Sequence, residues 1–255
     1  VQEHLRGRFY ISPSMLYSVA RLARGGHNYE VPVAGEWVTI GVIAERGQIS
    51  VSRGYGSRVQ HSTAEAQGQS QLDDLCESSQ GASEVVHKSA KKYLTLRLVD
   101  FGRRGQDPTT GKSVIKGDAL LNMILFESDT VSSLKDAGGS EQRVYKGGSG
   151  GVFEASSTLR EGAVIVVTNP RILKPFQRAK DKPHPMDNIF AITPQHEASV
   201  MIIGTSQDLG KCSALRRDGT TCKSWYDRRV SDVCEYHIQR AVESRRASRP
   251  EFSSA

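Results

Sequence analysis

Four residues toward the end of the 255-residue chain carry its clearest chemistry: Cys212, Cys222, Cys234 and His237, spaced Cys-x9-Cys-x11-Cys-x2-His. Three thiolates and one imidazole complete a tetrahedral shell and leave no position for water or substrate, so this donor set points to one structural Zn2+ rather than a catalytic metal. The alternative is three buried thiols beside an incidental histidine. The surrounding residues favour the metal. Asp218-Gly219 is a hairpin-turn dipeptide that folds Cys212 and Cys222 back toward each other. Asp232 and Glu235 have the spacing of a capping box opening a helix, whose first turn then carries Cys234 and His237 on one face. Two donors from a hairpin and two from a helix make a finger over residues 206–247, followed by a tail at 248–255. The spacing differs from that of two-Cys, two-His fingers, so three-base reading of the major groove does not follow. The fourth cysteine, Cys76, stands apart in a Ser/Gln/Gly-rich stretch and reads as a free thiol in a loop, which places the chain in a reducing compartment.

The charge is as uneven as the cysteines. A formal net charge of +6 is weak as a sign of a polyanionic partner. Its distribution says more. Residues Lys211 to Arg249 hold ten basic and five acidic residues, and Arg171 to Lys182 hold five basic and one acidic, which leaves −3 for everything else. Lys211, Arg216, Arg217, Lys223, Arg228 and Arg229 flank the finger ligands. Lys174, Arg178, Lys180 and Lys182, with Phe176 among them, fill the second stretch. Such residues suit DNA phosphate contacts, which supply affinity and salt dependence but little sequence preference. A solvated basic surface is the bland alternative. Phe176, Trp225 and Tyr226 suit base stacking and equally suit local packing.

The elements that must position these residues read as mainly β. Ser12-Pro13 followed by Met15, Leu16, Val19 and Leu22 and closed by Gly25-Gly26 predicts a short helix with an N-cap, a proline at its first position and a glycine C-cap. Residues 36–44 are rich in β-branched side chains, and 93–101 alternate with Leu94, Leu96 and Leu98 on one face; both read as strands. Residues 120–126, 163–168, 188–192 and 199–203 add short apolar segments, the first of which would also suit a buried helix. Residues 48–90 contain nine Ser and six Gln with few large apolar side chains, which predicts a disordered insertion. Residues 138–151 read as a glycine-rich connection. The expected organisation is an N-terminal helical and extended segment at 1–34, a five-stranded OB-type barrel at 35–205 carrying that insertion, and the finger. OB barrels bind oligonucleotides across one strand face and through the loops joining strands one to two and four to five. A β-sandwich with a solvated basic loop fits the same pattern.

Several classes are excluded or unsupported. The longest apolar run is five residues, Ala163 to Val167, too short for a transmembrane helix. The chain opens on Val1 with no basic-then-apolar leader and no Asn-X-Ser/Thr sequon, which gives the expectation of an excised piece of an intracellular protein. Residues Gly105 to Ser113 resemble a phosphate loop, but five residues separate the glycines where the motif needs four. They are expected to form an ordinary loop. Gly147 to Gly151 lack the strand-glycine-helix context of a dinucleotide site. Neither a nucleophile elbow nor a deaminase signature occurs, so no enzymatic activity is expected.

Taken together, EWVTIGVIAE (36–45), YLTLRLVDF (93–101), REGAVIVVTNPRILKP (160–175) and SVMIIGTSQDLGKCSALRRDGTTC (199–222) running into CEYHIQ (234–239) resemble the conserved internal domain of the minichromosome maintenance ten family of replication factors. The resemblance covers most of residues 12–239. It implies an OB barrel followed by a zinc finger, zinc on Cys212, Cys222, Cys234 and His237, and a DNA-contacting basic pair at Arg216 and Arg217. It further implies a nuclear, non-catalytic scaffold that binds single-stranded and double-stranded DNA and meets the replicative helicase, DNA polymerase alpha-primase and the sliding clamp. Residues 48–90 depart from animal members; Arg46 and Arg53 are the basic residues that flank this first inter-strand loop. The alternative function is a protein-peptide adaptor whose barrel mainly binds a replication partner, with zinc purely structural.

Overall fold

In a computed structural model, residues 5–23, 29–52, 90–111, 113–135, 141–173 and 190–247 are described. They fall into two compact units, Val1–Thr205 and Ser206–Ala255. The first is mostly β. Its main sheet contains β1 (Trp37–Arg46), β2 (Lys92–Asp100), β3 (Ala119–Phe126), β4 (Ala163–Thr168), β5 (Arg171–Leu173), β6 (Ala191–Thr193) and β7 (Val200–Thr205). β1 pairs antiparallel with β2 and β4, and β2 with β3. β3 runs parallel to β6, β6 antiparallel to β5, and β7 antiparallel to β4.

These seven segments are five strands. Only Asn169 and Pro170 separate β4 from β5, so the two form one bent strand, and β6 and β7, joined through a short 3-10 turn at Glu197–Ser199, pair with its two halves. The resulting pairing order, one-two-three-five-four-one, is that of an OB-type barrel. Asn169 makes the bend possible. Its φ of 43° is left-handed, a conformation Asn tolerates better than most residues. Its amide donates to the Trp37 carbonyl at 2.9 Å, and its Oδ1 accepts from the Trp37 amide at 2.7 Å, so β4 stays tied to β1 where the ladder would otherwise open.

Period-two alternation builds the core. Leu94, Leu96 and Leu98 of β2 stand opposite Leu125, Met123 and Leu121 of β3, all buried with Ile43, Ile165, Val167, Ile172 and Ile192. The segment at 120–126, read as a strand that would also suit a buried helix, is therefore settled as β. Helix α1 (Pro13–Val19) starts as expected, with the Ser12 Oγ accepting from the Met15 amide and proline in the first turn. It buries Leu16 in the same core, and the Tyr17 hydroxyl donates to the Leu120 carbonyl of β3. Its end differs from expectation: Ala20 is the C-cap, because Arg21–Leu22 goes straight into an extended pairing with Tyr29–Glu30. Gly25 and Gly26 lie outside the described residues.

Three stretches expected to lack structure have some. Within the predicted insertion, Ser50–Val51 pairs with Lys92–Tyr93, and the Ser52 amide donates to the Lys91 carbonyl at 2.8 Å, so ladder bonds hold the start of the insertion. Residues 53–89, Cys76 and Arg53 among them, lie outside the described residues. The stretch resembling a phosphate loop is the turn of a β-hairpin, with Arg103–Gln106 paired against Ser113–Lys116. In the second glycine-rich connection, Glu141–Lys146 pairs with Thr130–Lys135, and Gly147 to Gly151 form a packed turn against the end of β3.

Ser149 is the centre of that turn. It is fully buried; its Oγ accepts from the Phe126 amide at 2.8 Å and lies 3.1 Å from the Thr193 Oγ1. A Cβ on Gly148 would lie 2.3 Å from the Glu127 carbonyl oxygen, so close backbone approach explains that glycine. Ser149→Ala should leave the Phe126 amide buried without its acceptor and destabilise the first unit by about 1–3 kcal/mol, read as a lower urea midpoint. An unchanged midpoint would contradict the role assigned to this hydroxyl. Among the described residues no helix is long and apolar enough to cross a membrane.

Candidate metal centre

The second unit begins as a hairpin. β8 (Leu209–Lys211) pairs antiparallel with β9 (Trp225–Asp227). Gly210 faces Tyr226, and a Cβ there would sit 2.3 Å from the ring; glycine is what lets the ring lie across the strand. Beyond β8 the antiparallel bonding continues: the Cys212 amide donates to the Ser224 carbonyl at 2.8 Å, the Lys223 amide to Cys212 at 3.0 Å and the Cys222 amide to Ala214 at 2.9 Å. At the tip, Asp218 Oδ1 accepts from the Thr220 amide and hydroxyl, and Gly219 takes φ 78°. The expected Asp-Gly turn thus brings Cys212 and Cys222 together.

Helix α2 (Glu235–Ala247) supplies the other two donors, with one correction. It starts at Glu235, so Cys234 and not Asp232 stands at its N-cap position and the expected capping box does not form. The Cys234 carbonyl accepts from the amides of His237 and Ile238 at 3.0 and 3.1 Å. That first turn sets the two side chains next to each other.

The four donor atoms lie within 4.8 Å of one another. Cys222 and Cys234 Sγ are 3.8 Å apart; His237 Nδ1 is 3.5 Å from Cys212 Sγ and 3.3 Å from Cys234 Sγ. A tetrahedron with Zn–S of about 2.3 Å and Zn–N of about 2.05 Å has S···S edges of about 3.8 Å and S···N edges of about 3.6 Å. The residues fit the ion. The three cysteines are buried, with Ala214, Tyr226 and Val233 packed on them. His237 Nε2 lies 3.3 Å from the Leu215 carbonyl, an acceptor only, so Nε2 carries the proton and the Nδ1 lone pair faces the sulfurs. The Ser224 hydroxyl, 3.2 Å from Cys222 Sγ, and the Ser224 amide pull that thiol down to about 6, whereas burial pushes the Cys234 thiol up. A coordinating metal ion deprotonates thiols outright, which would overcome the second effect.

Comparison with known proteins agrees with this chemistry. The family model for the primase zinc finger matches residues 204–249. The DNA replication licensing factor mcm10 of Schizosaccharomyces pombe is 38% identical over 107 residues, which is 42% of this chain and 17% of that protein. The MCM10 homolog of Homo sapiens is 26% identical over 105 residues, 41% of this chain and 11% of that protein. Over the matched residues the chain is similar to these MCM10 proteins. The MCM10 homolog of Drosophila melanogaster is similar at 30% identity over 95 residues, 37% of this chain and 11% of that protein. These matches each span less than a fifth of the relative's length.

On this finger the basic residues separate into two roles. Lys211, Arg216, Arg217, Lys223 and Arg228 are exposed. Arg216 also donates through Nη2 to the Cys222 carbonyl at 2.8 Å, so it braces a ligand residue. The Arg229 guanidinium is paired with Asp227 at 2.7 Å and lies 3.9 Å from Asp208, which ties the base of the hairpin. Tyr226 packs on the cysteines rather than standing free to stack. Arg46 is also structural, donating to the Ser156 and Leu159 carbonyls at 2.6 and 3.1 Å. Lys174, Phe176, Arg178, Lys180 and Lys182 lie outside the described residues. Sequence reasoning missed the supports of the centre: the Ser224 hydroxyl, detectable only as a Cys-x-Ser spacing, and the Leu215 carbonyl, which leaves no side-chain signal.

Proposed function

We propose that this chain is a non-enzymatic DNA-binding module of a nuclear replication factor, holding single-stranded and double-stranded DNA through the barrel groove and the finger, with one structural Zn2+ on Cys212, Cys222, Cys234 and His237. The observation that carries the reading is the complete Cys3His donor set, its three cysteines buried and His237 partly so, in a unit that exposes Lys211, Arg217, Lys223 and Arg228. Four protein donors leave no position for substrate, so the metal's contribution is to hold the basic hairpin against α2. The replication role named for the fission-yeast relative and the family resemblance support the setting. The replicative helicase, DNA polymerase alpha-primase and the sliding clamp are the partners this reading implies. Arg229 belongs to the scaffold of the finger and not to its contact surface.

Fluorescence anisotropy with a labelled single strand of arbitrary sequence tests the reading. Binding should weaken steeply with salt, and Arg217→Ala with Lys223→Ala should reduce the slope of log K against log salt by about 1.4, equally for unrelated sequences. Salt-independent or absent binding would overturn it. The adaptor reading is favoured by one feature: β7 ends the order of the main sheet and exposes Ile202 and Ile203 at 44% and 36%, an edge suited to an added peptide strand. A polymerase-derived peptide that binds this chain when DNA does not would favour the adaptor.

A further inference from the structure

Between β2 and β3 the chain leaves the barrel ladder as a separate two-stranded arm. Asp100 and Ala119 form the last pair of the β2–β3 ladder, and Arg103–Gln106 then pairs with Ser113–Lys116. Both joints contain a glycine in left-handed backbone, Gly102 at φ 62° and Gly117 at 78°. A Cβ on Gly102 would lie 2.5 Å from the Lys116 carbonyl oxygen and 2.6 Å from the Asp118 nitrogen, an approach that only glycine allows. The Gly102 amide donates to Asp100 Oδ1 at 3.0 Å. The joint is defined by contact.

Residues 103–116 hold Arg103, Arg104, Lys112 and Lys116 against the single acid Asp107, a net +3 in fourteen residues. This third basic cluster is hidden when the region is averaged into a net-negative remainder. Asp107 is turned to its own loop: its Oδ1 accepts from the Thr109 amide at 3.0 Å and its Oδ2 from the Thr110 hydroxyl at 2.7 Å. Arg103 and Lys116 stand directly opposite each other across the two strands. Both are exposed, and among the described residues neither has an ion-pair partner. Directly opposed like charges destabilise a strand pair, and a two-stranded ribbon has little packing to offset them. A ligand with closely spaced negative charges removes that repulsion.

The geometry points to this arm as a nucleic-acid contact beyond the finger and the basic connection, with Arg103 and Lys116 held together on the phosphate backbone. The inference rests on the DNA-binding reading above. It assigns the arm no base recognition, because phosphate contacts carry no direct sequence information.

The test uses the 255-residue chain, a labelled single strand of arbitrary sequence, and two variants, R103A/K116A and R103E. Removing two phosphate contacts should lower the salt slope by about 1.4 and weaken binding about tenfold at about 0.15 M salt. R103E places opposite charges across the ribbon, so its thermal midpoint should equal or exceed that of the unaltered chain while its DNA binding falls. That opposite movement separates a lost contact from a lost fold. If the unaltered chain does not bind the strand, the DNA-binding reading fails and the arm's role with it. If it binds and both variants keep its slope and affinity, only the arm's role is overturned.

Discussion

Cys234→Ser should unfold the finger while leaving the β1–β2 and β2–β3 ladders intact, and excess chelator should do the same to the unaltered chain. Cys234 belongs to both halves of the centre: its sulfur lies 3.8 Å from Cys222 Sγ and 3.3 Å from His237 Nδ1, and its carbonyl receives the first amides of α2. Little else holds the unit. Its buried apolar cluster is the three cysteines with Ala214, Tyr226 and Val233 at the margin, and α2 buries no residue. A module this small needs a staple, and structural zinc contributes on the order of 10–16 kcal/mol in such peptides. Amide exchange is the readout. The amides of Cys212, Arg216, Cys222 and His237 should lose protection, zinc should restore them in the unaltered chain, and Cys234→Ser should not be rescued. Protected finger amides in metal-free protein would sink the prediction.

Leu96→Ala should destabilise the first unit by about 3–4 kcal/mol, within the range of about 2–5 for truncating a buried leucine. Leu96 is fully buried, sits mid-strand opposite Met123, and has neighbours fixed by two ladders, so the site has little freedom to collapse. Its sequence neighbour supplies the contrast. Arg97 pairs with Glu45 at 3.0 Å, but with both side chains about two-fifths exposed the pair is worth about 0–1 kcal/mol. Arg97→Ala should therefore shift the urea midpoint far less than Leu96→Ala. Similar shifts for the two would contradict the burial ranking.

The basic residues show where composition stops being informative. Arg216, Arg217 and Arg229 are indistinguishable as charges in the sequence. The fold makes one a brace for the Cys222 carbonyl, leaves Arg217 exposed, and locks Arg229 onto Asp227. A charge count treats all three as available to phosphate. The glycine-rich segments show the converse error: Gly148 reads as looseness but is there because the backbone of β3's end comes too close for a side chain.

By itself the sequence determined the donor set and the strand alternation. Both are short-range patterns: a tetrahedral shell constrains residue types and spacing, and a half-buried strand must repeat every two residues. Only the tertiary structure decided that β4–β5 is a single bent strand with β6 and β7 along its two halves, that His237 presents Nδ1, and that Arg103 faces Lys116. Each depends on a partner distant in sequence or on a backbone angle: Trp37 for the Asn169 bend, the Leu215 carbonyl for the histidine, and paired left-handed glycines for the arm. Such partners leave no local periodicity to read.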